Sequence, residues 1–377
     1  MYFSIKMIMY QSIETILVEI PTIRPHKMAV ATMQTQTLVL VKITTSDGLI
    51  GWGEATTIGG LGYGEESPES IKTNIETYFS PLLKSLYGLN MAKTMQTIKR
   101  NINGNRFAKC AIQTALFDIH AQRLGLPLSE ILGGRLRDSI PVLWVLASGN
   151  TDKDIAEAQK MIEVKRHNIF KLKIGSHAVE ADVEHVLAIK KALGPDISIR
   201  VDVNRAWSEL QAIKGIQMLQ DGGVDLIEQP CAIDNIDAMQ RLSRRFDIAI
   251  MADESLMGPD SAYRLAKKNA ASVFAVKVAQ SGGLLEGCEV GKIAKLAGID
   301  LYGGTMLEGP VGTIASAHVF STFDNLAYGT ELFGPLLLTE EILKTPLQYQ
   351  NFELQIPQSA GLGIEVDENK IDHLRRL

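Results

Sequence analysis

IFKLKIGSHAVEADVEHVLAIKKALGPDISIRVDVN, residues 169–204, decides the fold. Two short β-rich runs, IFKLKIG and ISIRVDVN, flank a helical stretch from Glu180 to Leu193. The same texture continues on both sides. IPVLWVLA (140–147) comes before it, followed by a helical stretch from Asp152 to Arg166. VDLIEQP (224–230), IAIMADES (248–255), VFAVKVA (273–279), IDLYGGTM (299–306) and LAYGTELF (326–333) come after it. Short apolar runs alternating with amphipathic stretches are the signature of repeated βα units. Eight such runs predict an α/β fold, a (β/α)8 barrel of the TIM type. A doubly wound open sheet would carry GxGxxG after its first strand, and no strand here is followed by one.

Outside the barrel the pattern changes. SIETILVEIPTI and TLVLVKITTSDGLIGWGEA read as antiparallel strands, with Ser46-Asp47-Gly48 as a hairpin turn. Two segments, TIRPHKMAVATM and TTIGGLGYGEESP, read as long loops beside the barrel mouth, the second with four glycines between Gly59 and Gly64. Helical periodicity runs from Pro68 to Leu132, opened by the cap signal Ser67-Pro68-Glu69. The expected organisation is therefore an α+β capping domain over 1–135 that supplies substrate loops, a barrel over 136–345, and a segment over 346–377 that returns to the capping domain.

Composition narrows the class of function. With 46% hydrophobic and 21% charged residues in 377, the chain is that of an ordinary globular protein. A formal charge of −5 and singly scattered basic residues exclude a nucleic-acid-binding stripe. Cys110, Cys231 and Cys288 show no CxxC pairing and read as reduced, buried thiols. The apolar opening MYFSIKMIMY lacks a signal-peptide pattern, and no run of 18 apolar residues follows. A cytoplasmic enzyme with a small-molecule substrate and no membrane partner is expected.

Active sites of such barrels are built at the C-terminal ends of the strands. There the sequence places Lys171 and Lys173, Asp202 and Asn204, Glu228, Asp253 and Glu254, Lys277, and Glu331, with Glu308 in the loop TMLEG. Positions 202, 228, 253 and 277 recur at roughly one βα unit, so their side chains reach equivalent depth around the mouth. Three converging carboxylates, Asp202, Glu228 and Asp253, need a cation, and an all-oxygen set suits Mg²⁺ or Mn²⁺. The bland reading, in which each acid caps the following helix, accounts well for one acid and poorly for three in register.

Lys171 and Lys173 stand two apart on a strand and so point to one face, into the barrel. Side by side, two ammonium groups are expected to lower one another's pKa and leave one usable as a base. The competing reading is a structural ring of ion pairs. Glu331 and Glu308 are candidates for acid chemistry, although a lone strand-end Glu is more often a cap or an ion-pair partner. The seven histidines show no ligand spacing. His26, with Arg24 and Lys27, lies where an anionic substrate could be met, but the segment reads as a solvated loop.

The order KxK, DxN, EQP, DES and VK resembles the enolase superfamily, whose sites use Lys or His bases beside metal-stabilised enediolates. PTIRPHK, GEATTIGGLGYGEESPE, LYGGTMLEG and GTELFGPLLLTEEI extend the resemblance to its muconate lactonizing subgroup, from about Ile13 to the end of the chain. The resemblance implies a metal-dependent isomerase that interconverts cis,cis-muconate and muconolactone through an enolate, in the degradation of catechols. It implies Mn²⁺ or Mg²⁺ held by Asp202, Glu228 and Asp253, and Lys173 as the acid or base at the α-carbon. Lys171 would tune Lys173, Lys277 would steady negative charge, and Glu331 would correspond to the strand-eight acid. Ile58, Asn204 and Phe333 would meet the dicarboxylate substrate, Ile58 and Phe333 in the manner of relatives acting on unsubstituted muconate. A homo-octamer is expected on the same ground. The rivals are o-succinylbenzoate synthases, N-acylamino acid racemases, dipeptide epimerases and chloromuconate-converting relatives. Outside the family they are a Schiff-base aldolase and a non-catalytic barrel.

Overall fold

A computed structural model describes residues 8–27, 32–86 and 90–376. The chain opens with a three-stranded antiparallel sheet of β1 (Tyr10–Lys27), β2 (Thr32–Thr45) and β3 (Ile50–Thr56). The segment expected as a loop, TIRPHKMAVATM, is largely strand. β1 continues through Pro25 to Lys27, and His26 pairs with Met33 after a register break at Pro21. Proline is tolerated here because a bulge spares its missing N–H. Residues 28–31 of that segment, like the opening residues 1–7, lie outside the described residues.

β3 lies against the helix Arg106–Leu124 so closely that glycine is required. A Cβ at Gly53 would collide with the carbonyl oxygen of Ala111, and one at Gly51 with that of Ala115. Backbone atoms cannot move aside cheaply, so Gly53→Ala is expected to cost about 1–3 kcal/mol or more. A lowered midpoint in thermal unfolding checks this, and an unchanged midpoint would show that the contact can relax.

The barrel consists of seven parallel strands: β5 (Trp144–Leu146), β6 (Ile169–Lys173), β7 (Ser198–Asp202), β8 (Leu226–Glu228), β9 (Ala249–Ala252), β10 (Val273–Val276) and β11 (Asp300–Gly303). The eighth run, LAYGTELF, forms no strand. Thr330 alone occupies that place, bridging Val142 beside β5 and Gly303 at the end of β11, and so closes the ring. Gly329 turns into it with φ +62°, and the backbone leaves at once for the short helix Gly334–Leu337. The first run is also divided. Ser139–Pro141 (β4) pairs antiparallel with Glu353–Gln355, and only Trp144–Leu146 joins the barrel. The last residues run back to β1, where Val18 bridges Arg375 and Leu17 accepts from the amide of Arg376.

The N-terminal strands hold one barrel loop by polar contacts. Gln36 donates to the carbonyls of Leu307 (2.9 Å) and Met306 (3.2 Å), and Thr56 donates to Met306 (3.0 Å). Glu54 accepts from the amides of Gly309 and Gly312 at the start of the helix Pro310–Phe320. All three free thiols are buried. Among the described residues no helix is long and apolar enough to cross a membrane.

Candidate active site

Strand register sets the first part of the site. Lys173 on β6 faces Asp202 on β7, and Asp202 faces Glu228 on β8, so three candidate positions stand side by side at the ends of three adjacent strands. Asp253 follows β9 directly, and its amide is held by the side chain of Gln229 (3.0 Å), which also accepts from Ser255. Gln229 takes φ +34°, and Asn204 and Arg205 take +45° and +70°. Left-handed backbone at non-glycine residues is costly, and here it is concentrated where the strands give way to the mouth.

Each carboxylate in this row meets an ammonium group. The Lys171 ammonium lies 2.7 Å from Glu228, 2.6 Å from Glu331 and 4.0 Å from Asp202. Lys173 pairs with Asp202, and Lys277 donates to Asp253 (2.7 Å) and to the hydroxyl of Tyr63 (2.7 Å). Lys173 and Lys277 thus stand at opposite ends of the carboxylate row. Asn204 donates to Asp202 and Glu254, and Arg205 pairs with Glu254.

These neighbours reverse one expectation. Burial alone would lower the pKa of Lys171, but the charges of Glu228 and Glu331 outweigh it, and the pKa is raised. The pairing with Lys173 therefore does not make Lys171 a base; carboxylates from other strands keep it charged. Lys277 is likewise raised, against its burial, by Asp253 and Glu228. Asp253 is held low because Lys277 overcomes the effect of burial. Glu228 is pushed well up, first by burial and then by the negative charge of Asp202. Glu254 is pushed up to about 8 by burial and by Asp253 and Asp202.

The residues present fit a divalent cation. Five carboxyl groups, Asp202, Glu228, Asp253, Glu254 and Glu331, face only four cationic side chains, Lys171, Lys173, Lys277 and Arg205, and burial with carboxylate crowding pushes Glu228 and Glu254 up. One oxygen of Asp253, one of Glu254 and the side-chain oxygen of Asn204 are buried without a hydrogen-bond partner. Unpaired buried oxygens and a carboxyl forced upward by its neighbours are what a hard cation relieves. As the side chains stand, no three His, Cys, Asp or Glu groups among the described residues are arranged to hold an ion, because ammonium groups engage the carboxylates.

A small cavity opens over the row, lined by Lys173, Asn204, Glu228, Asp253, Lys277 and Glu331 below and by His26, Ile58, Tyr63, Thr305 and Leu307 above. Ile58 lines the cavity. Phe333 does not line the cavity; it packs behind it against Trp144, with ring centroids 5.2 Å apart. Glu308 is not among the lining residues either; it accepts from Thr305 and from the amide of Met306. Arg24 is taken up by Glu157 and the carbonyl of Val145, while the side chain of Lys27 lies outside the described residues. His26, read as part of a solvated loop, is buried in the cavity wall. Tyr63 had no assigned role, since nothing local distinguishes a loop tyrosine that will be buried. The glycines around it, Gly59, Gly60, Gly62 and Gly64, were the available signal, and in the structure a bridge between Ile58 and Tyr63 closes the turn they make.

Residues 12–133 match the mandelate racemase / muconate lactonizing enzyme N-terminal domain, and residues 153–370 match the enolase C-terminal domain-like family. Muconate cycloisomerase 1 of Acinetobacter baylyi is 74% identical, over 98% of this chain and 100% of its own length. Muconate cycloisomerase 1-2 of Acinetobacter lwoffii is 60% identical, over 97% and 95%. The crystal structure of a muconate lactonizing enzyme from Pseudomonas fluorescens, complexed with muconolactone, superimposes with a TM-score of 0.96 at 54% identity, covering 98% of this chain and 99% of that one. By family match, sequence identity and fold together, the chain belongs to the mandelate racemase / muconate lactonizing enzyme family of the enolase superfamily.

Proposed function

We propose that this chain catalyses the reversible cycloisomerisation of cis,cis-muconate to muconolactone. The observation that carries the mechanism is the placement of Lys173 and Lys277 at opposite ends of one buried row of carboxylates. One carboxylate of the diacid adds to the diene, and the electron pair moves to the carbon beside the other carboxylate. Lys173 delivers the proton to that carbon. Lys277 faces the growing negative charge of the enolate from the far side, and its field acts more strongly on the transition state than on the substrate. Lys171 stays charged and holds Glu228 and Glu331 in place. In reverse, Lys173 removes the α-proton and the ring oxygen leaves.

Asp202, Glu228 and Asp253 would hold Mg²⁺ or Mn²⁺, which would supply further positive charge beside the enolising carboxylate. Of the two lysines a Schiff-base aldolase would use, Lys173 and Lys277, Lys277 is held protonated and an ammonium is no nucleophile, while Lys173 is engaged by Asp202; hydride trapping of a lysine adduct would support that rival. The close relatives and the aliphatic wall at Ile58 favour unsubstituted muconate over chlorinated muconates. A cytoplasmic homo-octamer serving catechol breakdown is proposed on the family resemblance.

Ultraviolet absorbance of cis,cis-muconate tests the reading. The diene band should disappear with enzyme and Mn²⁺ and persist when a chelator is added. Persistence in the metal-loaded sample would sink the proposed function; loss in the chelated sample would sink only the metal requirement.

A further inference from the structure

His26 is the one cavity residue whose surroundings the mechanism leaves unexplained. Along the end of β1 burial alternates: Thr22, Arg24 and His26 turn inward while Pro21, Ile23 and Pro25 turn out. Arg24 fixes that inward face against the barrel by its bonds to Val145 (2.9 Å) and Glu157. Two residues on, the imidazole of His26 is only 1% exposed and lines the cavity above Lys173, with the ring of Phe333 6.5 Å away. Its Nδ1 is buried and has no hydrogen-bond partner among the described residues. A neutral imidazole carries one N–H donor and one acceptor, and an unpaired buried polar group is expensive. The buried histidines His167 and His318 each leave one nitrogen unpaired but anchor the other on a backbone carbonyl, of Val142 and Leu362, whereas among the described residues no partner anchors the His26 ring. A ligand-binding role leaves one to be supplied by the substrate.

We infer that His26 donates a hydrogen bond to the nucleophilic carboxylate of muconate, the end that closes the lactone ring, and aims its oxygen at the diene. The inference rests on the muconate reading above. The enolising carboxylate belongs at the cation-rich floor of the cavity, so the other end of the diacid reaches toward the wall formed by β1. Burial, then Lys173 and Arg24, lower the pKa of His26 to about 3, so the donor there is neutral. A neutral donor orients the carboxylate without a full positive charge that would hold its electrons back.

As the carbon–oxygen bond forms, the π electrons of the attacked double bond move to the α-carbon and into the far carboxylate, where Lys173 supplies the proton. His26 neither gains nor loses one. The bonded oxygen is anionic in muconate and ester-like in muconolactone, so His26 grips the substrate more strongly than the product.

That asymmetry gives a kinetic signature a packing residue would not produce. Replacing His26 should weaken muconate binding and the transition state together, while leaving the muconolactone complex alone. His26→Phe is therefore expected to raise KM for muconate about 10- to 100-fold with kcat little changed, the loss of one hydrogen bond to a charged group. In the reverse direction the same factor should appear in kcat, with KM for muconolactone unchanged. His26→Gln, which keeps an N–H donor, should recover part of the loss and provides a second, less disruptive variant. Unfolding midpoints of both variants should match the wild type. Equal effects on both KM values, a glutamine variant as poor as the phenylalanine one, or no kinetic effect would each overturn the assignment to His26. Wild-type enzyme that leaves muconate unchanged would instead overturn the reading of the substrate.

Discussion

Lys173→Ala should abolish nearly all turnover, lowering kcat and kcat/KM by about the same 10²- to 10⁴-fold that a positioned proton-transfer group supplies. The equality matters as much as the size. A group that acts only in the transition state leaves KM alone, whereas a group that merely binds substrate raises it. Lys173→Arg separates charge from proton transfer. The guanidinium can keep the pairing with Asp202, but it stays protonated at any working pH and cannot act as a base on the lactone. If the arginine variant retained substantial activity in the lactone-opening direction, Lys173 would be an electrostatic residue and the proton would come from elsewhere. Stopped-flow or steady-state absorbance in both directions reads the difference.

The second large effect concerns stability. Lys171 is fully buried and is the shared partner of Glu228 and Glu331. Lys171→Met keeps most of the volume and removes the charge, leaving Glu228 and Glu331 in a dry environment without the ammonium that touches both. Loss of one partner from a buried pair typically costs about 3–5 kcal/mol. A clear fall in the unfolding midpoint is expected, along with loss of activity. Mn²⁺ or Mg²⁺ should restore part of the stability, since a cation that binds only the folded protein stabilises it by mass action. A Lys171→Met protein as stable as the wild type would show that Glu228 and Glu331 do not depend on that ammonium. Chemical denaturation with and without the metal distinguishes these outcomes.

The strand-end residues were legible in the sequence for two reasons. The two-residue period of a strand puts Lys171 and Lys173 on one face, and the length of a βα unit brings positions 202, 228 and 253 to one level. Both are local regularities. What could not be read depends on who meets whom across the fold. The pKa of Lys171 moves opposite to the expectation because its partners come from β8 and from the residue after Thr330, not from its own strand. Glu308 and Glu331 look alike in sequence, yet one turns back to Thr305 while the other enters the site. The eighth run is β-rich, but ring closure needs only Thr330 there, and the chain then turns to bring Glu331 inward.

His26 was misread for a different reason. Pro21 and Pro25 suggest a loop, and they mask an alternation in which Thr22, Arg24 and His26 share a parity and hence a face. Proline on an edge strand breaks one ladder bond without changing which way the remaining side chains point.

The grip of Gln36, Thr56 and Glu54 on residues 306–312 bears on how such an enzyme can be recombined. Leu307, which lines the cavity, is held at φ +59° between carbonyls bound by Gln36 and a turn closed by Glu308. The shape of that wall is thus written half in the N-terminal strands and half in the barrel. A chimaera joining these strands to another family member's barrel would inherit neither parent's pocket unless the three side chains and the loop they hold travelled together. Selectivity in this architecture passes on as a matched pair of segments, and exchanging single wall residues explores only part of it.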